Sequence, residues 1–202
     1  MGRPVRSSYR YELDPEPPTE VLDLSGTSSG RARHSLRWHP GADLGLLVVR
    51  VVLGVIFLGH GAQKMFGSFG GPGLGGFGTF LAGNGYQQAP MLAGLTAVTE
   101  LVGGALVLIG LLTPLAAAGL LAVMINVMCL KFGGGLFGTR GGAGYELELA
   151  LAGMAATLIL AGAGRLALDR LIPLFRRPLM SGVPCLLIAV GAAVAVRLLM
   201  HR

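Results

Sequence analysis

The stretch LGLLVVRVVLGVIFLGHGAQKMF, residues 44–66, decides the fold. It is apolar over a length that crosses a bilayer: roughly 20 residues at about 1.5 Å each span a hydrocarbon core of about 30 Å. Further apolar runs cover about 91–112, 115–132, 146–163 and 179–200. Thr113-Pro114 ends one run and opens the next, and Gly162-Ala163-Gly164 closes another. The expected fold is all-α: a polytopic transmembrane bundle with a four-helix core and a fifth, C-terminal helix. That last helix carries Pro184, able to kink it, and Arg197, which must snorkel to an interface.

Composition supports a membrane class. Only 13% of the 202 residues are charged and 52% are hydrophobic, against roughly a quarter charged in soluble domains. The 34 glycines suit close helix–helix approach in lipid. The formal charge of +6 comes from arginine, since Lys64 and Lys131 are the only lysines. The arginines cluster beside apolar runs without interleaved aromatics, which reads as topology rather than nucleic-acid binding.

Three segments are expected. Residues 1–40 form a disordered cytoplasmic tail, with Pro4, Pro15, Pro17 and Pro18, mixed charge and no signal-peptide apolar region. Within it, Val21-Leu22-Asp23-Leu24 offers an alternative reading as a partner-docking segment. Residues 41–170 form the membrane core, and 171–202 a cytoplasmic loop with the fifth helix. Arg31, Arg33 and Arg37 precede the first span, and Arg165, Arg170, Arg176 and Arg177 follow the fourth. The positive-inside rule puts both clusters, and the N-terminus, in the cytoplasm. The glycine-rich loop 67–90 is expected to be a lid on the outer face, with Phe69, Phe77 and Phe80 dipping into the interface. The loop from Gly133 to Gly144 repeats its style.

Charges inside a span mark function or pairing. Depth counting places Arg50 and Glu100 near midplane with Asn126 beside them, so the three are expected to form a network. Arg50, Gly54, Phe57, Gly61 and Lys64 share one helical face. A second layer, at the outer edge, gathers His60, Gln63 and Lys64 with Cys129 and Lys131 and with Tyr145, Glu146 and Glu148. Glu146 is expected to meet Lys64, and Glu148, two residues on, to point elsewhere. Both layers also admit a purely structural reading: a register-fixing ion pair in one case, interfacial snorkelling in the other. Cys129 and Cys185 lie towards opposite faces and are expected to stay unpaired. The histidines have no metal-ligand or haem spacing, and neither GxxxxGK[ST] nor GxSxG occurs.

From Leu46 to about Asp169 the sequence resembles the DoxX family of small bacterial membrane proteins. The carriers are Arg50, Gly54, Phe57, His60, Gly61, Gln63, Lys64, Phe66 and Gly67, followed by Gly71-Pro72-Gly73. Glu100-Leu101-Val102-Gly103-Gly104, Gly110-Leu111-Leu112-Thr113-Pro114 and Gly144-Tyr145-Glu146-Leu147 follow in order. Relatives often carry a histidine near the end of the third span. Asn126 to Lys131 contain none, which leaves a proton relay there without its residue.

The resemblance implies a four-helix membrane core in the bacterial cytoplasmic membrane and a link to membrane redox chemistry. Some relatives resemble subunits of thiosulfate:quinone oxidoreductases. Actinobacterial members are linked to oxidative stress and thiol homeostasis through soluble partners of the superoxide dismutase and sulfurtransferase types. The expected role is a membrane subunit or anchor of a quinone- or thiol-linked oxidoreductase assembly, with no cofactor motif of its own and a quinone or a small thiol as the candidate ligand. The alternatives are a non-catalytic scaffold and a small-solute carrier.

Overall fold

The computed structural model describes residues 40–138, 143–172 and 178–200. Expectations for residues 1–39 (the tail, its docking segment and three of the arginines) and for Arg176 and Arg177 lie outside the described residues.

All described elements are helical. They are α1 (Pro40–Phe66), α2 (Gly73–Gly83), α3 (Ala89–Ile109), α4 (Thr113–Lys131), α5 (Glu146–Ala161) and α6 (Pro178–Met200), joined by short 3-10 turns. α1, α3, α4 and α6 are each long and apolar enough to cross a membrane. The expected fifth span is therefore present as a helix that runs through Pro184. α5 has 16 residues, about 24 Å of helix. It is shorter than a full span but packed into the bundle by Leu151, Ala155, Leu158 and Ile159. Leu44, Val48 and Val55 of α1, with Leu187, Ile188 and Leu198 of α6, are exposed, an outer surface suited to lipid and not to water. The molecule is a multi-pass membrane protein.

Glycine sets the register of the antiparallel α1–α3 pair. A Cβ on Gly61 would lie 2.5 Å from the Leu101 amide nitrogen. One on Gly54 would lie 2.9 Å from the Gly104 carbonyl oxygen, and one on Gly104 2.8 Å from the Leu58 nitrogen. Lipid supplies no hydrophobic drive between helices, so such backbone contact is a main source of association. Leu53, Phe57, Val107, Leu120, Leu151 and Leu158 fill the space between α1, α3, α4 and α5. α6 closes the far side, its Gly182 set against the Ile159 carbonyl.

The glycine-rich loop 67–90 is largely helix, not an irregular lid. Glycine propensity argues against a helix at roughly 1 kcal/mol per residue, but packing decides. A Cβ on Gly78 would sit in ordinary contact with Pro90 and Ala93 of α3, Leu81 is buried, and Phe77 stacks on Phe80 with centroids 6.2 Å apart. A helix also satisfies its own backbone at membrane depth, where a loop does not. Phe69 and Phe80 are both exposed, and Phe77 and Phe80 also line a cavity described below. Cys129 and Cys185 are free.

Gly61→Ala is expected to destabilise the protein by about 1–3 kcal/mol, because its new methyl meets backbone. Gly59→Ala, with nothing within 4 Å, is expected to be neutral or slightly stabilising. Reversible unfolding in mixed micelles measures both, and equal effects would contradict the seam.

Candidate functional site

The expected Arg50–Glu100 pair does not form. With Gly54 opposite Gly104 and Gly61 opposite Leu101, Arg50 lies level with the last turn of α3, well beyond Glu100. There its guanidinium binds carbonyls at two helix ends. Nε donates to Val107 O at 3.0 Å and Nη2 to Leu108 O at 2.9 Å, while Nη1 donates to Ala163 O at 3.2 Å and Leu166 O at 2.8 Å. These carbonyls lie at and beyond the C-termini of α3 and α5, where helix carbonyls run short of partners and are partly negative; Val107 O accepts from the Gly110 amide as well. Gly110, with φ +73, leaves room for the guanidinium where a side chain would collide with it.

Two acidic residues finish this end of the bundle. Asp169 accepts from the Thr113 amide at the start of α4 at 3.0 Å, and its own amide donates to Gly110 O at 2.8 Å. Asp43 accepts from the Arg165 amide at 2.7 Å. Sequence reasoning missed the role of Asp169. Its signal was an acid shortly after the fourth span, available to the α4 N-terminus. Asn126 is not beside Arg50 or Glu100 either. Its amide donates to Ala122 O at 3.0 Å and to Ala193 O at 3.4 Å, fastening α4 to α6.

The opposite end carries the charge pairs. The same glycine register brings Glu100 level with the end of α1, and Lys64 Nζ lies 2.5 Å from its Oε2. The Glu100 side chain is fully buried. Lys64 also sits 5.3 Å from the Phe77 ring centroid, a cation–π contact that links α2 to α1. A second pair joins Lys131 of α4 to Glu148 of α5 at 2.7 Å. Glu148, not Glu146, faces the bundle. It shares a helical face with Leu151, Ala152 and Ala155, whereas Glu146 is exposed. The Tyr145 and Glu146 amides both donate to Leu136 O, which fixes that phase.

The remaining outer-layer candidates divide. His60 packs edge-on to Phe57, ring centroids 6.5 Å apart, within electrostatic reach of Lys64, Lys131 and Glu148. Gln63 is half-buried under the Gly71 turn. Tyr145 stacks on Phe132 and borders a separate hollow with Cys129 and Arg197. The layer thus centres on Lys64, Lys131, Glu100, Glu148 and His60.

Beside this cluster a cavity of about 400 Å³ lies between α2, α3, α4 and α6. Its walls are mostly apolar, among them Phe77, Phe80, Leu95, Val123 and Val196. Lys64, Lys131, Asn126 and Tyr86 add polar atoms. That volume falls within the roughly 300–1,000 Å³ of small-molecule sites.

Replacing Lys64 or Glu100 alone, as Lys64→Met or Glu100→Leu, is expected to destabilise by about 3–5 kcal/mol, because each leaves an unpaired buried charge. The double variant is expected to recover most of that loss, and additive losses would contradict the pairing. Arg50→Leu orphans several carbonyls and is expected to lose at least about 3 kcal/mol. Arg50→Lys, without the planar fork, is not expected to restore it. Unfolding in mixed micelles measures all five.

Comparison with known proteins places the chain in a family of membrane proteins. The sequence model of the DoxX family matches residues 45–133, from the arginine-bearing first helix to the turn after Lys131. An uncharacterized membrane protein of Mycobacterium tuberculosis is 32% identical over 142 residues, covering 65% of this chain and 83% of that protein. No solved structure matches. With the spans α1, α3 and α4 inside the family match and most of that relative's length covered, the chain belongs to the DoxX family.

Proposed function

We propose that this protein is a ligand-binding membrane subunit of an oxidoreductase assembly, and that the cavity between α2, α3, α4 and α6 holds a quinone. One observation carries the reading: an apolar cavity of about 400 Å³ has two ion-paired lysines at its edge. Apolar walls suit a prenyl chain and exclude water. The lysine ammonium groups suit ring oxygens, which accept hydrogen bonds. The residues present therefore fit such a group, which when bound supplies two-electron, two-proton carrier chemistry.

The protein's part is positional and electrostatic. Lys64 donates to the ligand oxygen, and Glu100 fixes its ammonium from behind. Lys131, held by Glu148, offers a second donor. Glu100 Oε1 and Glu148 Oε2 lack a hydrogen-bond partner among the described residues, and each can take up a proton. This gives the proton-accepting part to Glu148, which faces the bundle, and not to the exposed Glu146.

Soluble partners of the superoxide dismutase or sulfurtransferase type would dock at the cytoplasmic face. That part rests on the family resemblance and on the polar sequence of residues 1–40. The arginine distribution supports a bacterial cytoplasmic membrane location with the N-terminus inside, which puts the cavity in the outer half of the bilayer.

The test is purification in native lipid with solvent extraction. Quinone is expected at about one equivalent, with at least a tenfold loss in Lys64→Ala. Val123→Trp, which fills the cavity without removing a charge, is expected to lose it too. Extracts free of quinone, or quinone retained in both variants, would contradict the assignment and favour a non-catalytic scaffold.

A further inference from the structure

Lysine occurs at two positions in the sequence, and arginine carries the remaining fixed positive charge of the side chains. Both lysines line the same cavity, from different helices. Their carboxylate partners do not line it. The Glu100 and Glu148 side chains are 1% and 10% exposed, against 19% and 34% for Lys64 and Lys131. An ion pair is neutral seen from afar but not seen from one end. Of each pair, it is the lysine that belongs to the cavity wall, and the glutamate lies outside it. The cavity therefore presents a positive face although its pairs sum to zero.

The donor count points the same way. An ammonium has three N–H donors, and one hydrogen bond from each lysine to a side chain or backbone acceptor is accounted for: Lys64 to Glu100 and Lys131 to Glu148. His60 is within electrostatic reach of both lysines and of Glu148. Tyr86 lines the cavity with them. The weakly polarisable walls leave the field of the lysines poorly screened.

We infer that the cavity selects amphiphiles whose head is an anionic oxygen over neutral amphiphiles of the same shape. The inference rests on the cavity's being a ligand site, as proposed above, but not on that ligand's being a quinone. A fatty-acid carboxylate and an ionised hydroxyquinone share the required chemistry. The apolar walls take the tail in either case, and Lys131 becomes a specificity-determining residue alongside Lys64.

The experiment uses the full chain in lipid nanodiscs, titrated with two matched pairs of probes. One pair is dodecanoate and dodecanol. The other is an alkyl hydroxynaphthoquinone, ionised at neutral pH, and the methylnaphthoquinone with the same alkyl chain. Each anion is expected to bind at least about tenfold tighter than its neutral counterpart. The double variant Lys131→Gln with Glu148→Gln removes both charges of one pair and leaves no buried orphan, and is expected to bring the ratio below about threefold. Lys131→Arg is expected to keep it.

Equal affinities within each pair, or a preference untouched by the double variant, overturn the inference. Dodecanoate binding with neither quinone bound upholds it and sinks the quinone assignment. A neutral quinone binding as tightly as its acidic counterpart does the reverse. No binding by any probe overturns both.

Discussion

A charge within a bilayer is stable only beside its complement, and that constraint organises both ends of this bundle. At one end the complement of Arg50 is not a side chain but the partial charge of helix C-termini, whose carbonyls need donors that lipid does not supply. One guanidinium draws together the ends of α3 and α5, and Asp169 does the matching work at the start of α4. At the other end the complements are carboxylates on neighbouring helices, Glu100 for Lys64 and Glu148 for Lys131. Which charge finds which partner follows from helix register, and in the α1–α3 pair glycine sets that register.

The two ends differ in what they leave open. The guanidinium of Arg50 makes four hydrogen bonds to backbone carbonyls and is nearly inaccessible, so it acts as a structural clamp. The lysines are only partly enclosed and border a cavity. Buried charge that still borders empty space is better suited to a ligand than to a packing role, since packing alone is served as well by apolar side chains. α2 strengthens the contrast. It contributes Phe77 and Phe80 to the cavity wall, and Phe77 also contacts the Lys64 ammonium, so cavity and ion pair are built as one unit.

Much of the bundle was legible in the sequence because membrane helices announce themselves by length and apolarity. The break at Thr113-Pro114 and the C-terminal helix through Pro184 were readable on the same grounds. α2 was not, because its glycines suggest a loop, and only the packing of Gly78 on Pro90 and Ala93, with Leu81 buried beside it, reveals a helix. The charge pairing was misread for a related reason. Depth counted from span ends placed Arg50 near Glu100, whereas glycine contacts slide α1 along α3 until Lys64 takes that place. The face shared by Gly54, Gly61 and Lys64 already held the clue. The choice between Glu146 and Glu148 was hidden because nearly every residue of α5 is apolar, so no stripe marks its inward face. The neighbouring Ala152 and Ala155, small enough for close packing, were the faint signal.

That two lysines are each held by one inward glutamate beside a single cavity is the claim on which this account stands. Because the chain has no other lysine, Nζ-labelled lysine gives just two side-chain signals in solid-state NMR of the protein in lipid. Dipolar recoupling to labelled glutamate carboxyl carbons should dephase both signals rapidly. The effect should vanish for one signal alone in Glu100→Gln and for the other alone in Glu148→Gln. A lysine signal that never dephases, or one that responds to both substitutions, would contradict the arrangement.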